Sequence, residues 1–178
     1  MDLGLISVRY ARALLKASNQ EKQSEQVYAD MQTLAAEYIN VPELSVTIAN
    51  PMLSKEQKET LLIAATGSTK CDLTRRFIQL VLKEGRSGIM QFIANSFVTQ
   101  YRVQNNLIQA KLSTAAALSP ETESKLRKLV ESKTNGKVEF SANVDEDLIG
   151  GFVLEYDTYR LDASVKRQLS TILSNLKQ

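Results

Sequence analysis

The sequence predicts two domains, an all-α six-helix bundle in residues 1–105 and a small α+β domain in residues 106–178. Up to about Asn105, apolar residues recur at steps of three and four, which is the spacing of amphipathic helices. From Leu107 onward they alternate with polar residues, which is typical of half-buried strands. No flexible linker separates the two patterns, so we expect the domain boundary near residue 106.

The first four helices are indicated by apolar stripes and by signals at their ends. Pro42 and the Asn50-Pro51 pair enclose a short third helix. Ser54, with Gln57 three residues later, predicts a capping box at the start of the fourth. The four stripes are Ile6, Tyr10, Leu14 and Ala17; Val27, Met31, Leu34 and Tyr38; Leu44 and Ile48; and Leu61, Leu62 and Ala65.

Two further helices complete the predicted bundle. Asp72 is placed to cap the fifth helix, and Gly85 can end it in a left-handed conformation. The inner residues predicted for the two helices are Leu73, Phe77, Leu80 and Val81, and then Ile89, Phe92, Ile93 and Phe97. The connections are short, as in a compact bundle.

The second domain is predicted to contain strands and helices. Ser119-Pro120 starts a helix between the first two strands, Asn135-Gly136 forms a turn, and Asp162 caps a last helix. The alternating strand residues are Ile108, Ala110, Leu112 and Thr114, and then Val138, Phe140, Ala142 and Val144. The inner face of the first helix is predicted at Leu126, Leu129 and Val130, and the last helix carries Val165, Leu169, Ile172 and Leu176 on one face.

The residue inventory argues against an active site. The chain has no histidine and one cysteine, Cys71, which removes the usual general base, zinc sites and Cys–His pairs. A formal net charge of +2 offers no basic excess for nucleic-acid binding. No apolar run is long enough to cross a membrane. We therefore predict a binding or structural protein, with no catalytic residues, no metal and no cofactor.

Gly150 and Gly151 stand side by side in an apolar segment, and no nucleotide-binding glycine pattern surrounds them. The residues that follow, from Phe152 to Tyr156, are typical of a strand and not of the helix that a phosphate loop requires. Glycine inside a strand usually marks a bulge or a close approach by another backbone. Two interpretations stay open: a helix of the same domain packs tightly here, or a partner chain lies on the glycines.

Four segments carry a family resemblance: RYARALLKAS (9–18), NPMLSKEQKETLL (50–62), VLKEGRSGIMQFIANSF (81–97) and VEFSANVDEDLIGGFVLEYDTYRLDASVKRQLSTIL (138–173). In this order they resemble the δ subunit family of F-type ATP synthases, the bacterial counterpart of the mitochondrial oligomycin-sensitivity-conferring protein. The resemblance covers essentially the whole chain. One departure is Glu84, where the family often has Asn before Gly-Arg, and it concerns a local cap only.

The resemblance implies a non-catalytic peripheral-stalk (stator) subunit. The bundle would hold the N-terminal helices of the α subunits, and the second domain would engage the C-terminal ends of the b subunits. The implied location is the cytoplasmic face of the inner cell membrane, within the ATP synthase complex, without insertion into the bilayer. A free-standing helical adaptor or a ligand-responsive regulatory protein stays open as the alternative.

The resemblance also implies which residues meet the partners. The groove for the α-subunit helix, between the first and fifth helices, would be lined by Tyr10, Ala13, Leu14, Ala17, Phe77, Leu80 and Val81. The candidate contacts to b are Gly150, Gly151, Phe152, Leu169 and Leu176. Helical periodicity alone favours an ordinary bundle core for the groove residues. Given the resemblance, we expect Tyr10, Ala13 and Leu80 to face the α helix, with Leu14 in the core.

Overall fold

The computed structural model describes residues 3–67, 71–115, 124, 127–128, 131, 137–145, 148–156 and 159–176. The chain forms two compact units, Met1–Gln104 and Asn105–Gln178. The first unit is helical, and the second combines a four-stranded sheet with helix. A helical N-terminal region followed by a C-terminal α/β part is therefore confirmed.

Six α-helices lie in the described part of the first unit. They are α1 (Leu3–Gln20), α2 (Ser24–Asn40), α3 (Pro42–Ala49), α4 (Lys55–Ala65), α5 (Asp72–Lys83) and α6 (Met90–Asn105). The shared core includes the fully or almost fully buried side chains of Leu14, Val27, Met31, Leu34, Ile78, Ile93 and Phe97. Each contributes about 1.5–3 kcal/mol by burial, so packing of the apolar faces, more than helix propensity, stabilises this unit.

Three residues predicted on the inner sides of helices are placed differently. Leu80 on α5 is 49% exposed, and Phe92 on α6 is also exposed. Ile89 is buried but lies in a 3₁₀ turn, Ser87–Ile89, that precedes α6. Periodicity identifies the apolar side of a helix but does not show how much of that side its neighbours cover.

Pro42 and Asn50 bound α3 as predicted, and of the signals at Ser54, Asp72 and Gly85 two are confirmed. At the start of α4, Ser54 Oγ accepts the Gln57 N–H at 3.2 Å and Gln57 Oε1 accepts the Ser54 N–H at 3.0 Å, which confirms the capping box. Gly85 has a φ of +68° and ends α5 as predicted. The cap predicted at Asp72 is wrong. Cys71 holds the N-cap position and Asp72 is the first helical residue, where its carboxylate pairs with Arg76 one turn later at 3.1 Å.

The second unit is built on a mixed sheet of order β2-β1-β3-β4. Its elements are β1 (Leu107–Thr114), β2 (Lys137–Val144), β3 (Phe152–Tyr156), β4 (Tyr159–Asp162) and helix α7 (Val165–Leu176). β1 and β2 are parallel, whereas β3 is antiparallel to both β1 and β4. Ala110, Leu112, Val138 and Leu154 form the sheet core.

Parallel pairing of β1 and β2 requires a crossover connection, and a helix is predicted there. Four described residues of that segment, Ser124, Arg127, Lys128 and Glu131, are helical. The start signal at Ser119-Pro120 and the turn at Asn135-Gly136 lie outside the described residues. So do the inner side chains predicted at Leu126, Leu129 and Val130.

Gly150 and Gly151 precede β3, so their predicted place within a strand is wrong. Gly151 has a φ of +78°, which does not continue a strand. A Cβ on Gly151 would lie 2.3 Å from the carbonyl oxygen of Ala163. The Gly150 carbonyl accepts the N–H of Val165, the first residue of α7, at 3.0 Å. The backbone that lies close to these glycines is therefore the segment of the same chain that leads into α7. This favours tight packing within the domain over a partner chain.

The start of α7 is capped through Ser164, and not by Asp162 directly as predicted. Ser164 Oγ accepts the N–H of Arg167 at 3.2 Å and donates to Asp162 Oδ1 at 2.7 Å. The Ser164 backbone N–H also donates to Asp162 Oδ1, at 3.1 Å. Mainly because of the side-chain hydrogen bond from Ser164, the pKa of Asp162 lies below its usual value. The two residues thus form one hydrogen-bonded cap.

Replacing Ser164 by Ala should lower the free energy of unfolding of the second unit by about 1 kcal/mol at pH 7, because the cap is lost. A lowered carboxylate pKa stabilises the fold above the unfolded-state value and loses that effect as the pH falls through the folded-state value. The difference from wild type should therefore shrink below about pH 4. Denaturation at pH 7 and pH 3 tests this, with exposed Ser174→Ala as the control. An unchanged difference at pH 3 would contradict the coupling to Asp162.

Candidate functional site

An open groove lies between α1 and α5 and has a volume of about 540 Å³. The lining residues are Arg9, Tyr10, Ala13, Leu14 and Ala17 of α1 and Leu73, Arg76, Phe77 and Leu80 of α5. Apart from the two arginines, these side chains are aliphatic or aromatic. Such a lining is suited to an apolar surface of another molecule.

The groove has a buried floor and an open rim. Leu14, Leu73 and Phe77 are almost completely buried, whereas Ala13 and Leu80 are exposed. Ala13 and Ala17 lie one turn apart on α1 and therefore on the same side of that helix. Because neither side chain extends beyond Cβ, the two alanines leave depth between the helices. An amphipathic helix is the kind of ligand that docks in such a groove.

Two sets of contacts fix the walls of the groove. The Tyr10 ring packs edge-on against Phe77, with 6.4 Å between centroids, and its hydroxyl accepts a hydrogen bond from Arg86 Nη1 at 3.0 Å. Farther along α1, Arg76 Nη2 lies 2.8 Å from Glu21, the residue after the helix. Tyr10 therefore lies beside the middle of α5 and the turn that follows it, and Glu21 lies beside the first half of α5. The two walls run antiparallel.

Six of the seven predicted groove residues line this cavity, and the exception is Val81. Val81 is fully buried and is absent from the lining. Sequence reasoning missed Leu73, Arg9 and Arg76. Helical spacing offered a signal for both arginines, because Arg9 lies four residues before Ala13 and Arg76 four before Leu80. The binding of an α-subunit helix by these residues stays a prediction.

In the second unit, α7 exposes an apolar face. Leu169, Ile172 and Leu173 are 47%, 54% and 58% exposed. Their spacing of three and four residues places them on one side of the helix. Val165 is half-buried, and its side chain lies beside Gly150. The end of this stripe predicted at Leu176 has its side chain outside the described residues.

Three of the remaining residues predicted to contact b lie against other parts of the second unit. Phe152 is half-buried and packs against the sheet core. Gly150 and Gly151 face the entry to α7. Of the five candidates, Leu169 is thus the one that the structure shows on an open apolar face. Ile172 and Leu173 share that face and were not among the candidates, although the apolar spacing of the last helix indicated Ile172.

The described part of the chain holds no helix that is both long enough and apolar enough to cross a membrane. Within the same residues, no three His, Cys, Asp or Glu side chains could hold a metal ion together. The thiol of Cys71 is buried and lies 3.6 Å from Gln23 Oε1.

Comparisons of sequence and of structure match this chain to known proteins over nearly its whole length. Residues 6–176 match the family described as the ATP synthase delta (OSCP) subunit. The ATP synthase subunit delta of Phocaeicola vulgatus is 39% identical over 97% of this chain and 94% of that protein. The subunit delta of Parabacteroides distasonis is 39% identical over 99% of this chain and 98% of that protein. A chain of the Toxoplasma gondii mitochondrial ATP synthase hexamer, solved by cryo-electron microscopy, shares the fold, with a TM-score of 0.64, 20% identity and 97% coverage of both chains.

Proposed function

This chain belongs to the ATP synthase delta (OSCP) subunit family, and from that premise we propose how it connects the parts of the enzyme. It is a peripheral-stalk subunit of an F-type ATP synthase. The alternative of a free-standing adaptor or regulator is not favoured, because relatives that match the chain over nearly its whole length are ATP synthase δ subunits. Within the complex the chain acts as a structural link, and the chemistry of ATP synthesis belongs to other subunits.

The groove between α1 and α5 binds the N-terminal helix of an α subunit. The observation that supports this is an open apolar groove, with alanines at Ala13 and Ala17 and with Leu80 at the rim. An incoming helix would place its apolar stripe over Leu14 and Phe77 and between the exposed rim residues. The contact would remove Leu80 from water, which provides about 25 cal/mol for each Å² of apolar surface buried.

The test is a calorimetric titration of the full chain with a synthetic peptide of roughly the first 22 residues of the α subunit from the same genome, which is about six helical turns. Saturable one-to-one binding would support the groove proposal. Absence of binding by a chain whose circular dichroism shows it to be folded would contradict it. The family membership would stand in either case, because it depends on the sequence match.

The apolar face of α7 is the contact for the C-terminal end of a b subunit. Leu169, Ile172 and Leu173 leave a three-residue apolar surface open on a helix that is exposed along most of its length. A helix that ends a membrane-anchored stalk could pack on it through leucine-rich contacts. The second unit would then face the stalk on the cytoplasmic side of the membrane, while the groove faces the catalytic head.

Leu169→Asp should raise the Kd for a soluble peptide from the C-terminal end of the b subunit at least about tenfold, because a carboxylate would have to be desolvated in the contact. The fold should be largely unaffected, since Leu169 is already half in solvent. Thr171→Asp introduces the same charge on the opposite side of α7 and is the matched control, expected to bind within about twofold of wild type. Equal binding by both variants would rule out this face.

A further inference from the structure

The two helices that form the groove carry a strong positive charge. α1 has three basic residues and no acidic one, and α5 has three basic residues and one acidic one. Their combined formal charge is therefore +5, whereas the net charge of the whole chain is +2. The positive charge is thus concentrated on these two helices, partly outside the groove, and the rest of the chain is net negative.

Two of these cations, Arg9 and Arg76, line the groove itself. Arg9 is exposed and forms no ion pair with any residue in the described ranges. Arg76 is held in place, because its Nη2 binds both carboxylate oxygens of Glu21 at 3.0 and 2.8 Å and its Nε binds Asp72 at 3.1 Å. Its Nη1 forms no hydrogen bond with the described residues, so a fixed guanidinium keeps donors for a ligand.

Arg9 and Arg76 stand toward opposite ends of the groove. Arg9 precedes Tyr10, which contacts Arg86 beyond the end of α5, whereas Arg76 lies in the first half of α5 and contacts Glu21. Arg9 and Glu21 are about 18 Å apart along the axis of α1, at the helical rise of about 1.5 Å per residue. Carboxylates on a docked helix would meet both arginines if they were about three turns apart, about 11–12 residues.

We infer that the helix bound in this groove is acidic, with carboxylates on both sides of its apolar stripe that pair with Arg9 and Arg76. The inference rests on the proposed function, which supplies the occupant, the N-terminal segment of an α subunit. The apolar groove accounts for affinity, and the arginine pair sets the direction and position of the bound helix. Charge pairs at the rim of an apolar contact act mainly through steering and specificity, so binding depends on salt.

The experiment titrates the full chain with the α-subunit N-terminal peptide and with a copy in which every Asp and Glu is replaced by Asn and Gln, at about 100 and about 500 mM NaCl, which differ strongly in charge screening. At the lower salt, Arg9→Gln and Arg76→Gln should each weaken binding of the native peptide about three- to tenfold. Arg12→Gln on α1 and Arg75→Gln on α5 remove the same charge outside the lining and should stay within about twofold. At the higher salt all five proteins should differ by less than about twofold.

Glu21→Gln separates ligand binding from a structural role of the ion pair. If Arg76 served only to hold the two walls together, Glu21→Gln would weaken binding as much as Arg76→Gln. We expect Glu21→Gln to bind the native peptide as tightly as wild type or more tightly, because the Arg76 guanidinium would then have one carboxylate partner fewer. The neutral peptide should bind more weakly, and equally well to wild type and to both groove variants.

The outcomes distinguish the two proposals. Native and neutral peptides that bind wild type with the same Kd and the same salt dependence would overturn the acidic-helix inference and leave the apolar groove in place. Arg9→Gln and Arg76→Gln variants that match their Arg12 and Arg75 controls would also overturn it. Absence of any binding to the folded wild-type chain at the lower salt would overturn the groove proposal and the inference together.

Discussion

Gly151→Ala should destabilise the second unit by about 2–5 kcal/mol and leave the helical unit intact. The new Cβ would lie 2.3 Å from the Ala163 carbonyl oxygen and 3.1 Å from Ser164 Cα, and both of these are backbone atoms that cannot rotate away. Moving them would pull the start of α7 away from β3, because Ala163 N–H donates to the Phe152 carbonyl at 2.9 Å. The φ of +78° adds about 1–2 kcal/mol for any residue with a Cβ. A steric conflict with fixed atoms adds about 1–3 kcal/mol more.

Alanine substitutions at three other glycines distinguish the cost of the positive φ from the cost of the steric conflict. Gly85 has a φ of +68° and no atom within 4 Å of the place where a Cβ would lie, so Gly85→Ala should cost only about 1 kcal/mol, in the first unit. Gly150→Ala would meet Val165 Cγ2 at 3.0 Å, a side-chain atom that can shift, and should fall between the two. Gly88→Ala meets nothing and should be close to neutral.

Hydrogen exchange followed by mass spectrometry assigns each loss to its unit. For Gly151→Ala, exchange should accelerate in β3 and α7 while α2 and α6 stay as protected as in wild type. A loss no larger than that of Gly85→Ala would show that Ala163 and Ser164 move away at little cost. The tight contact would then not be what requires glycine at this position.

Much of the fold could be predicted from local signals. Stripes such as Val27, Met31 and Leu34 and caps such as Ser54 with Gln57 depend on residues within one or two turns of each other, and the structure places them as predicted. The cap errors at Asp72 and Asp162 are displacements of one or two residues, whereas the failure at the glycine pair involves residues farther apart in the chain. The Gly150-Gly151 pair is explained by Ala163 and Val165, and neither contact is visible in the local pattern.

The groove could be predicted only in part for the same reason. Periodicity alone could not distinguish Val81, which is buried in the core, from Leu80, which lies at the rim, because both belong to the apolar side of α5. The position of the groove came from the family resemblance. The fixed guanidinium of Arg76 depends on Glu21, which is 55 residues away in the chain, and no spacing rule in the sequence links the two.

Ala13→Glu should weaken binding of the α-subunit N-terminal peptide at least about thirtyfold, which corresponds to about 2 kcal/mol. Ala13 lies at the exposed rim of the groove, so the longer side chain would occupy the space that the incoming helix needs. Its carboxylate would also lie one turn from Arg9, where it could neutralise the cation proposed to receive the ligand. Because the residue is exposed, the fold should change little. Tyr10→Asp should act in the same direction by removing the ring that packs on Phe77.

Two control variants make the prediction specific. Ala13→Ser keeps the groove open and should bind within about twofold of wild type. Asn19→Glu adds the same charge on α1 outside the groove lining and more than two turns from Arg9, and it should bind as wild type. Calorimetry on the full chain gives the Kd, and thermal melts by circular dichroism show whether each variant is folded. If Ala13→Glu and Tyr10→Asp are folded and bind normally, the α helix docks elsewhere, and the open face between α1 and α5 serves another partner.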